Sequence, residues 1–245
     1  QAIKIAIEHH QSGRLPQAEV IYRQILQVEP NHSDALHLLG MIAHQVGKAE
    51  LAIELIDKAI AANPSIPIYY NNLGRALHDA GRFDDAISSY RKAILLKPDF
   101  AEAHSNLGAV LRDQGKFDEA IASYSNALIL KPDLAVTHNN LGNALKEQCK
   151  IDEAIASYNK ALSLKPDYYE AHSNLGNALK DQGKPGESVA SYRKALSLRP
   201  DVAMAHSNYL LAAQYDPAYS HEEYRADCLN FAARFEAPLR PDWPL

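Results

Sequence analysis

The sequence predicts an all-α fold made of stacked, repeated helix pairs, and three observations predict it. Six prolines stand 34 residues apart, at Pro30, Pro64, Pro98, Pro132, Pro166 and Pro200. Ten of the eleven glycines fall into two columns of the same period. One column is Gly40, Gly74, Gly108, Gly142 and Gly176; the other is Gly13, Gly47, Gly81, Gly115 and Gly183, with Cys149 in the vacant place and only Gly186 outside both. Within each period, apolar residues recur at helical spacing in two separate runs. Units of this kind bury their apolar faces only against neighbours, so function is expected on an extended surface instead of in a central pocket.

Residues 101–134 serve as the type unit. A first helix is predicted from Ala101 to about Gln114, with His104, Leu107, Gly108 and Leu111 on the core arc. Glu102, Ser105, Asn106, Ala109, Arg112 and Asp113 take the roughly opposite arc. Gly115 ends the helix, because the left-handed residue after a helix C-terminus favours glycine. Asp118 and Glu119 open the second helix, where carboxylates meet unpaired amides and the positive end of the dipole. Ala120, Ile121, Tyr124, Ala127 and Leu128 form its apolar stripe, and Pro132 stops it. A glycine inside a helix costs about 1 kcal/mol against alanine. Its recurrence at Gly108 therefore implies a close helix approach, with the small Ala120 column (Ala18, Ala52, Ala86, Ala154) expected on the other side.

Composition narrows the classes further. The chain has 245 residues, 47% of them hydrophobic, and a formal net charge of −5. That balance argues against nucleic acid as a partner, which calls for clustered Lys and Arg. No uninterrupted apolar run approaches membrane-spanning length, so no membrane partner is expected. Cys149 and Cys228 lie far apart with no CxxC spacing, which suggests neither a disulfide framework nor a zinc site and fits a reducing, cytoplasmic setting. The chain opens at Gln1 without an initiator Met and already within a helical pattern, so it is expected to be part of a longer protein.

The pattern His104-x2-Leu107-Gly108, then Ala120-x3-Tyr124, then Pro132, resembles the tetratricopeptide repeat. The resemblance covers about residues 1 to 216 and implies a right-handed superhelical solenoid of antiparallel helix pairs. Six repeats are delimited: 1–32 (lacking its start), 33–66, 67–100, 101–134, 135–168 and 169–202. Residues 203–236 read as a degenerate seventh pair acting as cap or junction, since Tyr209 and Leu210 replace the leucine and the glycine. There Ser220-x-x-Glu223 forms a capping box opening a helix to about Glu236, and Tyr224, Leu229, Phe231 and Phe235 are expected to cover the last repeat. The tail 237–245, with Pro238, Pro241 and Pro244, reads as irregular.

One polar column stands out: Asn72, Asn106, Asn140, Asn174 and Asn208, with Asn71, Asn139, Asn143 and Asn177 on the same face. Asparagine is a mediocre helix former, so propensity does not explain five in register. Its amide can bridge the N–H and C=O of an extended peptide, and it can equally tie adjacent repeats together; both readings stand at this point. Stretches such as Ala103-His104-Ser105-Asn106-Leu107-Gly108 and Ala171-His172-Ser173-Asn174-Leu175-Gly176 are similar to the N-terminal repeats of bacterial O-linked N-acetylglucosamine transferases and SPINDLY-like proteins. In that family an asparagine ladder contacts acceptor proteins. The resemblance implies that this chain recognises extended segments of client proteins for a glycosyltransferase whose catalytic part lies outside it. The segment from His206 through Pro217 is similar to the junction before the family's catalytic lobes. Lys4 and Leu38 depart from the ladder in the first two repeats. The competing reading is a stand-alone tetratricopeptide adaptor or co-chaperone-like binder. Against the carboxylate-clamp version of it, Asn71, Ser105, Asn139, Ser173 and Ser207 stand where a lysine is needed.

Other chemistry finds no support. His104, His138, His172 and His206 recur once per repeat on the predicted core arc. Helices packed about 8–10 Å apart do not bring consecutive copies to one ion, so no metal is expected. The Gly-Lys pairs at Gly47, Gly115 and Gly183 have the wrong spacing for a phosphate loop. Tyr22, Tyr90, Tyr124, Tyr158 and Tyr192 read as packing aromatics. No nucleophile–base arrangement is visible, so the chain is expected to hold no catalytic residues and no cofactor. Ile3, Ile5 and Ile7 spread apolar surface around the first helix, from which self-association or cover by a neighbour is expected.

Overall fold

The computed structural model describes residues 1–236; the predicted irregular tail 237–245 lies outside the described residues. Every regular element among them is helical. The order is α1 (Ala2–Gln11), α2 (Leu15–Val28), α3 (Ser33–Gln45), α4 (Ala49–Ala62), α5 (Pro67–Asp79), α6 (Phe83–Leu96) and α7 (Ala101–Asp113). There follow α8 (Phe117–Leu130), α9 (Ala135–Glu147), α10 (Ile151–Leu164), α11 (Tyr169–Asp181), α12 (Pro185–Leu198), α13 (Ala203–Gln214) and α14 (His221–Phe231). A π-helical turn, Ala232–Glu236, continues α14. The type unit runs Ala101–Asp113 and Phe117–Leu130, within one residue of its predicted limits.

The chain divides into two compact units, Gln1–Leu130 and Lys131–Leu245. In each, odd-numbered first helices pair with the even-numbered helices that follow them. Within a unit, successive first helices also touch (α3 with α5, α5 with α7, α9 with α11, α11 with α13), whereas successive second helices make at most marginal contact. The first helices therefore line the inner side of each unit.

Turn chemistry explains the second glycine column. Gly13, Gly47, Gly81, Gly115 and Gly183 all adopt φ between 72° and 80°, and Cys149 adopts 58°. At Gly115 the glycine N–H donates to the Arg112 carbonyl at 2.8 Å and the Lys116 N–H to the Leu111 carbonyl at 2.9 Å. These two bonds close a Schellman motif and satisfy carbonyls the helix leaves open. Cys149 and Lys150 repeat both bonds onto Lys146 and Leu145.

The first glycine column admits a partner besides the one predicted. A Cβ on Gly108 would stand 2.7 Å from the Tyr124 ring, and one on Gly142 would stand 2.5 Å from the Tyr158 ring. Gly74 and Gly176 face Tyr90 and Tyr192 in the same way. The ring fills the hole that a missing side chain leaves, while the alanine column also reaches the glycines: a Cβ on Gly40 would stand 3.2 Å from the Ala52 carbonyl. Ala18, Ala52, Ala86, Ala120 and Ala154 are fully buried, and Ser188 replaces them once. Its hydroxyl donates to the Gly176 carbonyl at 2.7 Å, which is how a polar atom survives in that place.

The histidine column also departs from expectation. His104, His138, His172 and His206 are half-buried at the edge of the core. Each ring places Nε2 near the carbonyl of the proline six residues earlier: Pro98 at 3.1 Å, Pro132 at 3.0 Å, Pro166 at 2.8 Å and Pro200 at 3.0 Å. A carbonyl only accepts, so Nε2 carries the proton. The histidines tie each first helix to the loop that delivers it, and the Tyr70 hydroxyl does the same for Pro64 at 3.1 Å.

At the ends, Ile3 packs on the core cluster around Ala6, Ala18 and Tyr22, while Ile5 is 43% exposed. The capping box at Ser220 forms with both reciprocal bonds. Tyr224 packs against Val189, Tyr192 and Tyr209, and Phe231 and Phe235 lie against His206. Leu229, expected in that cap, is 62% exposed, because the face of α14 that packs carries Tyr224 and Asp227 instead. No described helix is long and apolar enough to cross a membrane, and no described group of three ligand-type side chains is arranged to hold a metal.

Candidate peptide-binding surface

The asparagines lie on the first helices, and packing sorts them into distinct roles. In unit Gln1–Leu130, Asn71 and Asn72 are buried. Asn106 donates through Nδ2 to Asn71 Oδ1 at 3.1 Å, and Asn71 Nδ2 lies 3.4 Å from Asn72 Oδ1. Asn72 Nδ2 meets His37 Nε2 at 2.8 Å. An amide nitrogen can only donate, so His37 Nε2 is the acceptor and the ring proton sits on Nδ1. His37–Asn72–Asn71–Asn106 is thus a polar chain running through α3, α5 and α7. Burial lowers the His37 pKa to about 4; Arg75 and His10 push the same way, against Asp34.

In unit Lys131–Leu245 the same device recurs once: Asn174 Nδ2 donates to buried Asn139 Oδ1 at 3.0 Å. Asn143 and Asn177 serve the packing tyrosines. Tyr158 donates to Asn143 Oδ1 at 2.8 Å, and Tyr192 to Asn177 Oδ1 at 2.7 Å. Asn140 and Asn208 are half-buried and make no side-chain hydrogen bond among the described residues.

The five-membered column is therefore not uniform. Asn72 is sealed in a seam. Asn106 and Asn174 are half-buried, each fixed by one bond to the preceding pair and each keeping an amide oxygen that the bond does not use. Asn140 and Asn208 keep both amide groups. The residue sequence reasoning missed is His37, which takes the place that Asn71 and Asn139 hold in later repeats; the signal was a partner 35 residues upstream.

Contacts of histidine or lysine with aspartate border this surface at the first-helix C-termini. His44 Nε2 lies 2.7 Å from Asp79, His78 Nε2 lies 2.9 Å from Asp113, and Lys146 lies 3.4 Å from Asp181. For Asp113, partial burial pushes the pKa up, but hydrogen bonds from Arg112 and His78 outweigh it and hold the carboxyl below its usual range. Partly exposed pairs of this kind contribute little stability each. Their effect is to fix charge in place along the rim.

Family models described as Tetratricopeptide repeat match residues 9–75, 99–167 and 133–201, and one described as TPR repeat matches 74–111. The chain belongs to the tetratricopeptide-repeat family. No curated protein matches it. Among solved structures, MamA is 27% identical, with 66% of this chain and 95% of that chain covered and a TM-score of 0.60. PilF of Pseudomonas aeruginosa is 19% identical over 88% of this chain and 96% of that one, with a TM-score of 0.76. YrrB, described as a TPR protein with an unusual peptide-binding site, is 18% identical over 75% and 95%, with a TM-score of 0.60. The last two likenesses establish the fold alone. A tetratricopeptide array is a non-catalytic scaffold suited to protein binding.

Proposed function

We propose that the first-helix faces of this array bind extended segments of client proteins through their main chain, with Asn106, Asn140, Asn174 and Asn208 as the contact residues. The observation that supports this most is the placement of Asn106 and Asn174. Each is held by one buried amide while its own Oδ1 stays uncommitted, so the group meets a ligand already ordered. Asn71 and Asn139 act beneath them as positioning residues. A net hydrogen bond contributes about 0.5–1.5 kcal/mol, so a few rungs give weak capture that is indifferent to client sequence. On the resemblance of the Ala103–Gly108 and Ala171–Gly176 stretches, the clients are acceptors for a nucleotide-sugar-dependent glycosyltransferase linked to the array.

The test is a panel of labelled, unstructured peptides titrated against the chain and its Asn140→Ala/Asn208→Ala variant. Neither residue makes a side-chain hydrogen bond among the described residues and alanine is the better helix former, so the variant is expected to weaken capture several-fold with a urea midpoint that does not fall. Backbone N-methylation of the peptides is expected to abolish capture. Equal binding by variant and wild type would overturn the proposal. For the enzyme link, the gene downstream of Leu245 is expected to encode two nucleotide-binding lobes; any other continuation, or a stop codon, removes it.

A further inference from the structure

A cleft lined from α10, α11 and α12 has about 600 Å³, and the seventh pair opens another of similar size whose charges differ. In four of the repeats, a glycine on the first helix (Gly74, Gly108, Gly142, Gly176) admits a ring from the second. On α13, Leu210 stands at that position, and α14 packs on α13 far more loosely than paired helices do elsewhere. A cleft of about 580 Å³ opens there, within the size range of ligand sites. Leu196, Tyr209 and Leu210 make its apolar side, and Ser197, Asn230 and Arg234 its polar side.

The charges in the cleft are sorted as well. Arg193 donates to the Tyr219 hydroxyl at 3.0 Å, and its Nε lies 3.4 Å from the Tyr209 hydroxyl. Tyr209 donates to Asp227 Oδ2 at 2.7 Å, and Tyr219 donates to the same oxygen. The cleft's one carboxylate is thus occupied by two hydroxyls. Arg234 rests over the Phe235 ring at 5.6 Å and has no carboxylate partner among the described residues. Two guanidiniums against one engaged carboxylate give the cleft a positive balance in a chain whose net charge is −5. Low-dielectric walls focus such a field.

We infer that this cleft is a second binding site, which takes an acidic side chain of a partner protein segment, with Arg234 and Asn230 donating to the carboxylate and an adjoining aliphatic residue on Leu196 and Leu210. A guanidinium fork suits a carboxylate with two parallel bonds. The chemistry recognised is carboxylate beside hydrocarbon, and at about 580 Å³ the cleft suits a chain segment, which carries both, over a small free acid, which carries no aliphatic side chain.

The probe is an acetylated, amidated, fluorescein-tagged peptide of alternating leucine and glutamate, followed by anisotropy with the full chain. The same peptide with glutamine for glutamate is the control. Binding of the glutamate peptide is expected, with the glutamine peptide about tenfold weaker. Arg234→Gln is expected to weaken the glutamate peptide about tenfold, and Asn230→Asp at least as much. Both positions are exposed on the last helical segment, and unchanged far-ultraviolet dichroism is expected to report an intact fold. No binding of the glutamate peptide, equal affinity for both peptides, or equal affinity of Arg234→Gln and wild type would each overturn the inference. Displacement by succinate at concentrations matching the peptide's would assign the site to small acids and overturn the protein-segment assignment.

Discussion

Asn177→Ala is expected to destabilise the chain through Tyr192 and not through any ligand. Tyr192 is fully buried and its hydroxyl donates to Asn177 Oδ1 at 2.7 Å. Removing the acceptor leaves a buried hydroxyl unpaired, at a cost of about 1–3 kcal/mol. Alanine is the better helix former by about 0.6 kcal/mol, which offsets part of that loss. The net expectation is a destabilisation of about 0.5–2.5 kcal/mol, read as a lower urea midpoint by far-ultraviolet dichroism. Tyr192→Phe removes the donor, so Asn177→Ala in that background is expected to stabilise by about 0.6 kcal/mol, the propensity gain alone. The molecule supplies its own control. Ala109 stands where Asn177 does in an earlier repeat, and the Tyr124 hydroxyl has no partner among the described residues. Tyr124→Phe is therefore expected to leave the midpoint unchanged or raise it. The reasoning is refuted if Asn177→Ala costs the same with tyrosine or phenylalanine at 192, to within about 0.3 kcal/mol.

Two further outcomes follow from single residues. His37 is buried, accepts from Asn72, and has its pKa lowered to about 4, chiefly by burial. An unfolded histidine titrates near 6.5, so on acidification the unfolded state takes up the proton first. The stability that His37 contributes is complete above about pH 6.5, declines as pH falls toward about 4 and levels off below; its upper bound is about 3 kcal/mol. His37→Asn keeps an acceptor, as Asn71 and Asn139 do in later repeats, and is expected to flatten that window in urea midpoints measured across it; an unchanged slope would contradict the assignment. Cys149 is exposed and holds a left-handed φ of 58° where five glycines serve elsewhere. Cys149→Gly is expected to stabilise the chain by about 0.5–1 kcal/mol, read as a raised midpoint, and a lowered midpoint would show that the cysteine side chain contributes more than its backbone strain costs.

Backbone-determined features were legible in the sequence, and those set by side-chain direction were not. A left-handed turn favours glycine and a helix stop favours proline, so Gly115 and Pro132 mark their conformations without reference to anything distant. Gly108 announces a close approach but not what approaches. Ala120 and Tyr124 lie one turn apart on the same face; matching small to small found the alanine column but not the ring that packing sets into the gap a glycine leaves. His104 sits at the margin of the core arc, where periodicity is least decisive, and the path of the loop at Pro98 settled its role.

The asparagine column shows the same division in the candidate site. Five amides in register read as one device, yet what each does depends on the residue 35 places earlier. Asn72 finds His37, Asn106 finds Asn71, and Asn174 finds Asn139, so each of these three is tethered. Asn208 finds Ser173 and makes no such bond. The chemistry of the surface is thus written in the column itself, while the supply of free donors and acceptors is written in the preceding repeat. A substitution at Asn71 or Asn139 would accordingly disturb Asn106 or Asn174 without touching a ligand. For that reason binding loss at those two positions alone would not locate the ligand, and loss at Asn140 and Asn208 would.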